Sequence, residues 1–201
     1  MKKILAVLTI ASALLLTGCS QTNEAATVGD FKILQSDLQA TIDAVIAERT
    51  KVDSSQMELE TGDELNRGQL RFKILMHTFD EIAKELKIEV TSSQIEAKKA
   101  TILSSIGGEA ELPKNLVNAA IALQDFDTYL RAIVISDQVA AALSQSGVPD
   151  EEVSAKVGEL LNAKAKTLGV KINPRYGVWD NEVGDVVAAN VTGDAVKPSD
   201  K

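Results

Sequence analysis

Residues 64–87 have the sequence ELNRGQLRFKILMHTFDEIAKELK and carry the strongest periodic signal of the chain. Apolar side chains recur in it at intervals of three and four positions, at Phe72, Leu75, Met76, Phe79, Ile82, Ala83 and Leu86. This spacing places them on one face of an α-helix with 3.6 residues per turn. The segment therefore predicts a long amphipathic helix whose apolar face other elements must cover.

Four further segments predict helices that pack around this one. They cover residues 37–51, 92–105, 112–143, where a break in the middle is left open, and 150–168. Ser36 with Gln39, and Thr91 with Gln94, have the spacing of capping boxes, in which side chains bond the free N–H groups of a helix start. Residues 53–63 lack sustained periodicity and predict a loop. We therefore expect a mainly α-helical chain.

Two segments, one before the predicted helices and one after them, have strand character. Residues 26–34 alternate β-branched and polar side chains around a Gly-Asp turn, and residues 170–179 are β-like, with Pro174 confining them to an edge. Residues 183–191 predict one further short strand. Because an isolated hairpin is marginal in water, we expect the N- and C-terminal segments to pair into a small antiparallel sheet. In that sheet Tyr176, Val178 or Trp179 would cover Val28, Phe31 or Ile33.

The first nineteen residues have the pattern of a lipoprotein signal. Two lysines precede thirteen mainly apolar residues, 4–16, a run shorter than the roughly 20 residues of a membrane-spanning helix. Leu16-Thr17-Gly18-Cys19 then resembles the bacterial lipobox, in which signal peptidase II cleaves before the cysteine and its thiol carries a diacylglyceryl group. The alternative is an ordinary signal peptide with an incidental cysteine. We expect cleavage before Cys19, residues 1–18 as the signal peptide, and a lipid anchor at the extracytoplasmic face of the cell membrane.

Composition and charge exclude several classes of protein. The chain has 201 residues, of which 45% are hydrophobic and 25% charged, as expected of a chain that buries a core. One cysteine and one histidine leave no disulfide framework and no multi-cysteine or multi-histidine zinc site, and we expect no cofactor. Removing residues 1–18 would leave 19 basic and 29 acidic residues, a net charge of −10. With this charge and 3% aromatic residues, nucleic acid is not an expected partner.

Few residues are candidates for chemistry. His77 falls beside Met76 in the long helix and is expected to be a boundary or surface residue. The carboxylate clusters at 58–60 and 150–152 lack the spacing of a calcium loop, so we expect solvated faces or helix starts there. Gly107-Gly108 lacks the Lys-Ser/Thr of a phosphate loop and is expected to end a helix. We therefore expect no catalytic residue, no metal site and no enzymatic activity.

Three segments resemble parts of the SurA/PrsA-type periplasmic chaperones. Residues 26–38 follow the pattern A-x-V-G-D-x-x-I-x-x-S-D-L, which is similar to the hairpin and first helix of that family. Residues 91–96, TSSQIE, resemble a helix start of the family, with glutamine in place of glutamate. Residues 173–180, NPRYGVWD, are similar to the closing motif of actinobacterial lipoproteins that carry a SurA N-terminal domain.

The resemblance implies a helical peptide-binding domain of the SurA N-terminal type at residues 26–180. SurA and PrsA usually carry parvulin prolyl-isomerase domains, and this chain leaves no room for one after residue 180. The resemblance therefore implies a chaperone-like module without isomerase activity. Residues 19–25 would form a tether, and residues 181–201 a short strand followed by a disordered tail.

Two functions remain as hypotheses. The first is a membrane-anchored chaperone or holdase that binds unfolded or partly folded exported proteins in an apolar groove between helices, where burial contributes about 25 cal/mol per Å². The second is a structural or scaffolding lipoprotein that docks one dedicated partner of the cell envelope. In either case Tyr176 and Trp179 are core residues or an exposed aromatic contact for client peptides.

Replacing Cys19 with alanine tests the lipid anchor. Because only a thiol can form the thioether, Cys19→Ala should incorporate no labelled fatty acid, and its precursor should stay uncleaved at this position. Incorporation of labelled palmitate and the apparent mass of the membrane-fraction protein measure the two effects. A variant that still took up the label and stayed membrane-bound would show that the lipobox interpretation is wrong.

Overall fold

A computed structural model of the chain describes residues 23–189. In chain order its elements are β1 (Glu24–Val28), β2 (Phe31–Leu34), α1 (Gln35–Arg49), α2 (Gly62–Leu86), α3 (Ser92–Ile106), α4 (Leu112–Asn118), α5 (Phe126–Gln145), α6 (Asp150–Leu168), β3 (Val170–Ile172), β4 (Val178–Asp180) and β5 (Asp185–Val187). The predicted class, mainly α-helical with a small antiparallel sheet that joins N- and C-terminal strands, is confirmed. Within residues 23–189 no helix is both long and apolar enough to cross a membrane.

Helix α2 lies at the centre of the fold and packs against α1, α5, α6, β1 and β5. Its buried residues are Leu65, Gln69, Leu70, Ile74, Thr78, Ile82 and Ala83. The apolar face predicted from the sequence is only partly the buried one: Phe72 and Met76 are half-buried and Leu86 is 51% exposed. The reason is that neighbours surround α2 on several sides instead of covering a single stripe.

The sheet has the strand order β2-β1-β3, and both pairings are antiparallel. Val28 lies opposite Phe31 on one side and opposite Val170 on the other. The predicted pairing of residues 170–179 with the N-terminal segment is therefore right for β3 but wrong for β4, which pairs with β5 in a separate hairpin. A turn separates β3 from β4, closed by the N–H of Tyr176 donating to the carbonyl of Asn173 at 2.9 Å.

Two expectations at the N-terminal end need correction. Residues 24 and 25, predicted as the end of a tether, belong to the fold instead, because β1 begins at Glu24 and Ala25 is fully buried in the core. The capping box at Ser36 does not form, because α1 follows β2 directly and its N-cap position is Leu34, which has no side-chain bond. The capping box of Thr91 and Gln94 is confirmed at the start of α3.

The segment predicted as one helix over residues 112–143 is divided into α4 and α5. The chain leaves α4 through Ala120, whose φ is +52°, and the N–H of Ile121 bonds back to the carbonyl of Leu116 at 2.9 Å. Three apolar residues, one each from α1, α6 and the segment between α4 and α5, are exposed. They are Leu123 at 52%, Ile46 at 47% and Leu160 at 38% exposure.

Three apolar clusters make up the core. The first joins the sheet to α1 and α2, the second joins α2 to α5 and α6, and the third joins α4 to α5, with α3 packed against it. Helix α2 contributes Ile74 to the first cluster, Ile82 to the second and Phe72 to the margin of the third. Residues 190–201, which include the predicted disordered tail, lie outside the described residues.

The closing hairpin depends on one glycine, and its replacement gives a test of the fold. Gly177 is buried at φ +124°, and an added Cβ would overlap the carbonyl oxygen of Val187. Gly108 has a similar φ of +107° with open space around it. In both alanine variants backbone strain should lower the free energy of unfolding by about 1–3 kcal/mol. In Gly177→Ala the steric overlap should lower it by about a further 1–3 kcal/mol. Urea unfolding of both variants measures the difference, and equal losses would contradict this packing.

Candidate functional site

The residues singled out from the sequence fall in different places. Gly18 and Cys19 lie outside the described residues. Tyr176 and Trp179 are half-buried and pack against the first core cluster, which contains Val28 and Ile33. Both rings therefore close the core where the C-terminal segment meets the sheet.

The guanidinium of Arg175 lies 5.2 Å from the centre of the Tyr176 ring, a cation–π distance, and also donates to Gln35 at 3.0 Å. The indole Nε1 of Trp179 is buried and makes no hydrogen bond with any described residue. Within residues 23–189 no three His, Cys, Asp or Glu side chains are placed to hold a metal ion.

A groove, called here the α2 groove, runs along one side of helix α2. It consists of three adjoining depressions of about 290, 310 and 410 Å³, all of which include His77. Its floor is a stripe of residues on one side of α2: Lys73, Met76, His77, Asp80, Lys84 and Lys87. From Lys73 to Lys87 this stripe is about 21 Å long at 1.5 Å per residue.

A strand and a helix form the walls of the α2 groove. On one side stand Phe31, Lys32 and Ile33 of β2, and on the other stand Asp125 and Thr128 at the start of α5. The α2 groove therefore lies between a strand and two helices, whereas the sequence predicted a groove between helices alone.

Local sequence fixes the β2 wall. Gly29, at φ +58°, allows the tight turn that folds β2 back onto β1, and β2 continues into α1 without a loop. Among the described strands β2 has a partner on one side only, so it is an edge of the sheet. An edge strand presents backbone N–H and C=O groups that a further strand can bond.

The middle of the α2 groove is apolar and aromatic. Phe31 is 44% exposed, and its ring stacks on the His77 ring with centroids 4.1 Å apart and planes 15° from parallel. Phe72 and Met76 are half-buried beside them. These side chains leave an apolar surface open to solvent at the centre of the α2 groove.

Most charges of the α2 groove are compensated within the chain. Arg131 donates to Asp80 at 2.8 Å, and Lys32 donates to Glu24 at 2.5 Å. Asp125 differs, because its Oδ2 is buried and has no hydrogen-bond partner among the described residues. Burial raises the pKa of the Asp125 carboxyl, and the positive charge of Lys73 opposes that rise.

A second, smaller depression of about 200 Å³ lies between α2 and α6. Leu86 and Leu160 line it and are 51% and 38% exposed. Sequence periodicity placed Leu86 on the apolar face of α2, and the structure places it with Leu160 at the rim of this surface depression instead.

Sequence reasoning missed the α2 groove because its parts are distant along the chain. His77 is half-buried at the junction of the depressions, although its position in the helix predicted only a boundary residue. The sequence predicted Phe31 only as a sheet residue that the C-terminal segment could cover, whereas its side chain is 44% exposed in the α2 groove. Asp125 gave no signal, since a strand residue and a residue before a helix come together only through tertiary packing. Comparison with protein-family models, curated proteins and solved structures found no match for this chain.

His77 predicts a pH dependence of stability. Burial lowers its pKa below the ordinary 6.5; the charges of Glu81 and Asp80 oppose this effect and that of Lys84 adds to it. The folded state then binds fewer protons than the unfolded state below about pH 6.5, so stability should fall as the pH drops through this range. Wild type should lose more stability than His77→Gln between about pH 7.5 and about pH 5.5 in urea unfolding. Equal losses in both proteins would show that His77 is not desolvated.

Proposed function

We propose that this chain is a membrane-anchored, extracytoplasmic holdase-like module that binds extended segments of unfolded or partly folded exported proteins. The observation that carries the proposal is the α2 groove, whose centre is apolar and which lies beside β2, a strand with one partner among the described strands. The binding role requires no catalytic residue, and we propose no enzymatic and no isomerase activity. Kinship with SurA N-terminal domains is part of the proposal and rests on the sequence patterns of residues 26–38 and 173–180.

The dimensions of the α2 groove suit a short extended peptide. Its floor of about 21 Å matches about six residues of a strand, at roughly 3.4 Å per residue. Side chains of such a segment would bury apolar surface against Phe31, Phe72 and Met76. This burial is non-directional, at about 25 cal/mol per Å², and so tolerates many client sequences.

The edge of β2 adds a second means of binding. A client segment that lies along Phe31–Leu34 can bond the backbone of β2, as in other cases of strand addition. Leu34 is 37% exposed at the end of this edge. Backbone bonding to β2 would supply affinity that does not depend on client sequence.

The position of β1 relates the α2 groove to the proposed anchor. The carbonyl of Asn23 accepts a bond from the N–H of Gln35 at 2.7 Å, which fixes the start of the sheet beside the end of β2. Cys19 lies four residues before Asn23 in the sequence. Four fully extended residues span at most about 14 Å. A lipid on Cys19 would therefore keep the β2 edge close to the membrane surface, where exported chains emerge.

A dedicated docking role is the second candidate, favoured by the depression between α2 and α6. Its exposed leucines, Leu86 and Leu160, form a small apolar patch of the kind that one cell-envelope partner would cover. The two candidates use different surfaces of the molecule, so substitutions can separate them.

A holdase assay with two matched variants tests the proposal. Residues 20–201 should suppress the aggregation, measured by light scattering, of several unrelated unfolded proteins. Phe31→Glu should lose most of this suppression, because it places a charge in the apolar centre of the α2 groove. Leu160→Glu, at a residue of similar exposure outside the α2 groove, should retain it.

Thermal melting of both variants shows that each is folded before the comparison. If the wild-type chain suppressed the aggregation of none of the client proteins, this would contradict the holdase function. If Leu160→Glu lost the suppression of aggregation and Phe31→Glu retained it, the binding surface would be the depression between α2 and α6. That result would favour the docking role.

A further inference from the structure

Helix α3 differs from the other helices in how little of it is buried. Within residues 23–189 it is the one α-helix that has no buried residue. The other five have at least three each, including α4, which is only seven residues long. Half-buried side chains of α3 pack against the third core cluster: Ile95, Ile102, Leu103 and Ile106. An element with so few buried apolar contacts separates from its neighbours more readily than the rest of the fold unfolds.

The hydrogen bonds that close the two ends of α3 lie within its own segment. At the start, the N–H of Gln94 donates to the hydroxyl of Thr91 at 3.3 Å, and the N–H of Thr91 donates to the side chain of Gln94 at 2.8 Å. At the end, the N–H of Gly108 donates to the carbonyl of Leu103 at 2.7 Å. Residues 91–108 can therefore move away from the fold without breaking these bonds.

The connection after α3 and the ion pair beside it offer little resistance to such a motion. Gly107 and Gly108 follow the helix at φ +96° and +107°, and both conformations are easily left by glycine. Among the described residues one ion pair joins α3 to α5, with Lys98 2.5 Å from Asp137, whose side chain is 54% exposed. Exposed ion pairs contribute little to stability, because water screens them.

Beneath α3 lies an apolar surface, called here the covered surface. Its residues come from α4, from α5 and from the segment between these helices: Leu112, Leu116, Ile121, Phe126 and Leu130. Phe72 packs against this cluster and also lines the α2 groove. The covered surface therefore adjoins the apolar centre of the α2 groove at Phe72.

We propose that α3 is a hinged cover, which opens and admits an apolar segment of an unfolded client onto the covered surface. The inference rests on the proposed peptide-binding function and adds to it a second surface next to the α2 groove. The occupant is apolar because no residue of the covered surface is charged or polar. A client that replaces the side chains of α3 keeps this surface away from water. Its contacts exist only in the open form, so binding shifts the chain toward that form.

Hydrogen exchange measured by mass spectrometry tests the opening. The probe is an end-blocked nonapeptide, Gly-Ser-Thr-Leu-Val-Leu-Thr-Ser-Gly, added in excess to residues 20–201. A helix of 15 residues without its neighbours is marginal in water, so the amides of α3 exchange when the cover is open. The peptide should speed the exchange of residues 95–106 about tenfold or more, and leave that of α6 unchanged. Unchanged or slower exchange of residues 95–106 with bound peptide would overturn the proposal.

A crosslink between α3 and α5 gives the complementary test. Residues 20–201 contain no cysteine, so Lys98→Cys with Asp137→Cys places two thiols at the ion pair, and a short bismaleimide joins them. The affinity of the fluorescein-labelled nonapeptide is measured by fluorescence anisotropy. The crosslinked protein should bind it about tenfold more weakly than the same variant without the linker, because only the α2 groove stays accessible.

Arg71→Cys with Asp185→Cys is the matched control, since this ion pair joins α2 to β5 and involves no residue of α3. The same linker there should change the affinity less than about twofold. If crosslinking positions 98 and 137 left the affinity unchanged, the hinged cover would be overturned, while peptide binding in the α2 groove would stand. If the wild-type chain did not bind the nonapeptide, the proposed function itself would be contradicted, and with it the client that the cover admits.

Discussion

The fold depends on the burial of one helix on several sides at once. Helix α2 carries apolar residues around much of its surface, and no single neighbour can cover them all. The sheet with α1 covers one part, α5 and α6 cover another, and the α4 region lies against a third. Burial of this amount of apolar surface is the main favourable contribution to a fold of this size.

The α2 groove follows from the same constraint. Side chains of β2 and of the start of α5 line the α2 groove together with α2, and depressions follow the stripe between Lys73 and Lys87. The stacking of Phe31 on His77 joins the edge strand to the helix at the middle of this stripe. Apolar surface and an unpaired strand edge thus lie side by side, and this combination supports the proposed binding of extended segments.

Local patterns predicted much of the fold and little of the candidate site. Periodicity identified α2, and the capping residues Thr91 and Gln94 identified the start of α3. The strand character at both ends predicted the β1–β3 pairing, but it did not reveal the turn that diverts Val178–Asp180 into its own hairpin. The α2 groove was beyond such patterns, because its walls come from residues almost a hundred positions apart. Which side of α2 stays uncovered is decided by how the hairpin and α5 dock, and single-segment periodicity carries no information on that.

The most direct measurement is photocrosslinking in living cells from a photoreactive amino acid placed at position 76, in the floor of the α2 groove. The matched position is Lys114, an exposed residue of α4 outside the α2 groove. We expect crosslinks from position 76 to many exported proteins of different sizes, and few or none from position 114. The same products from both positions, or a single product from position 76, would contradict the claim that this groove holds extended segments of diverse clients.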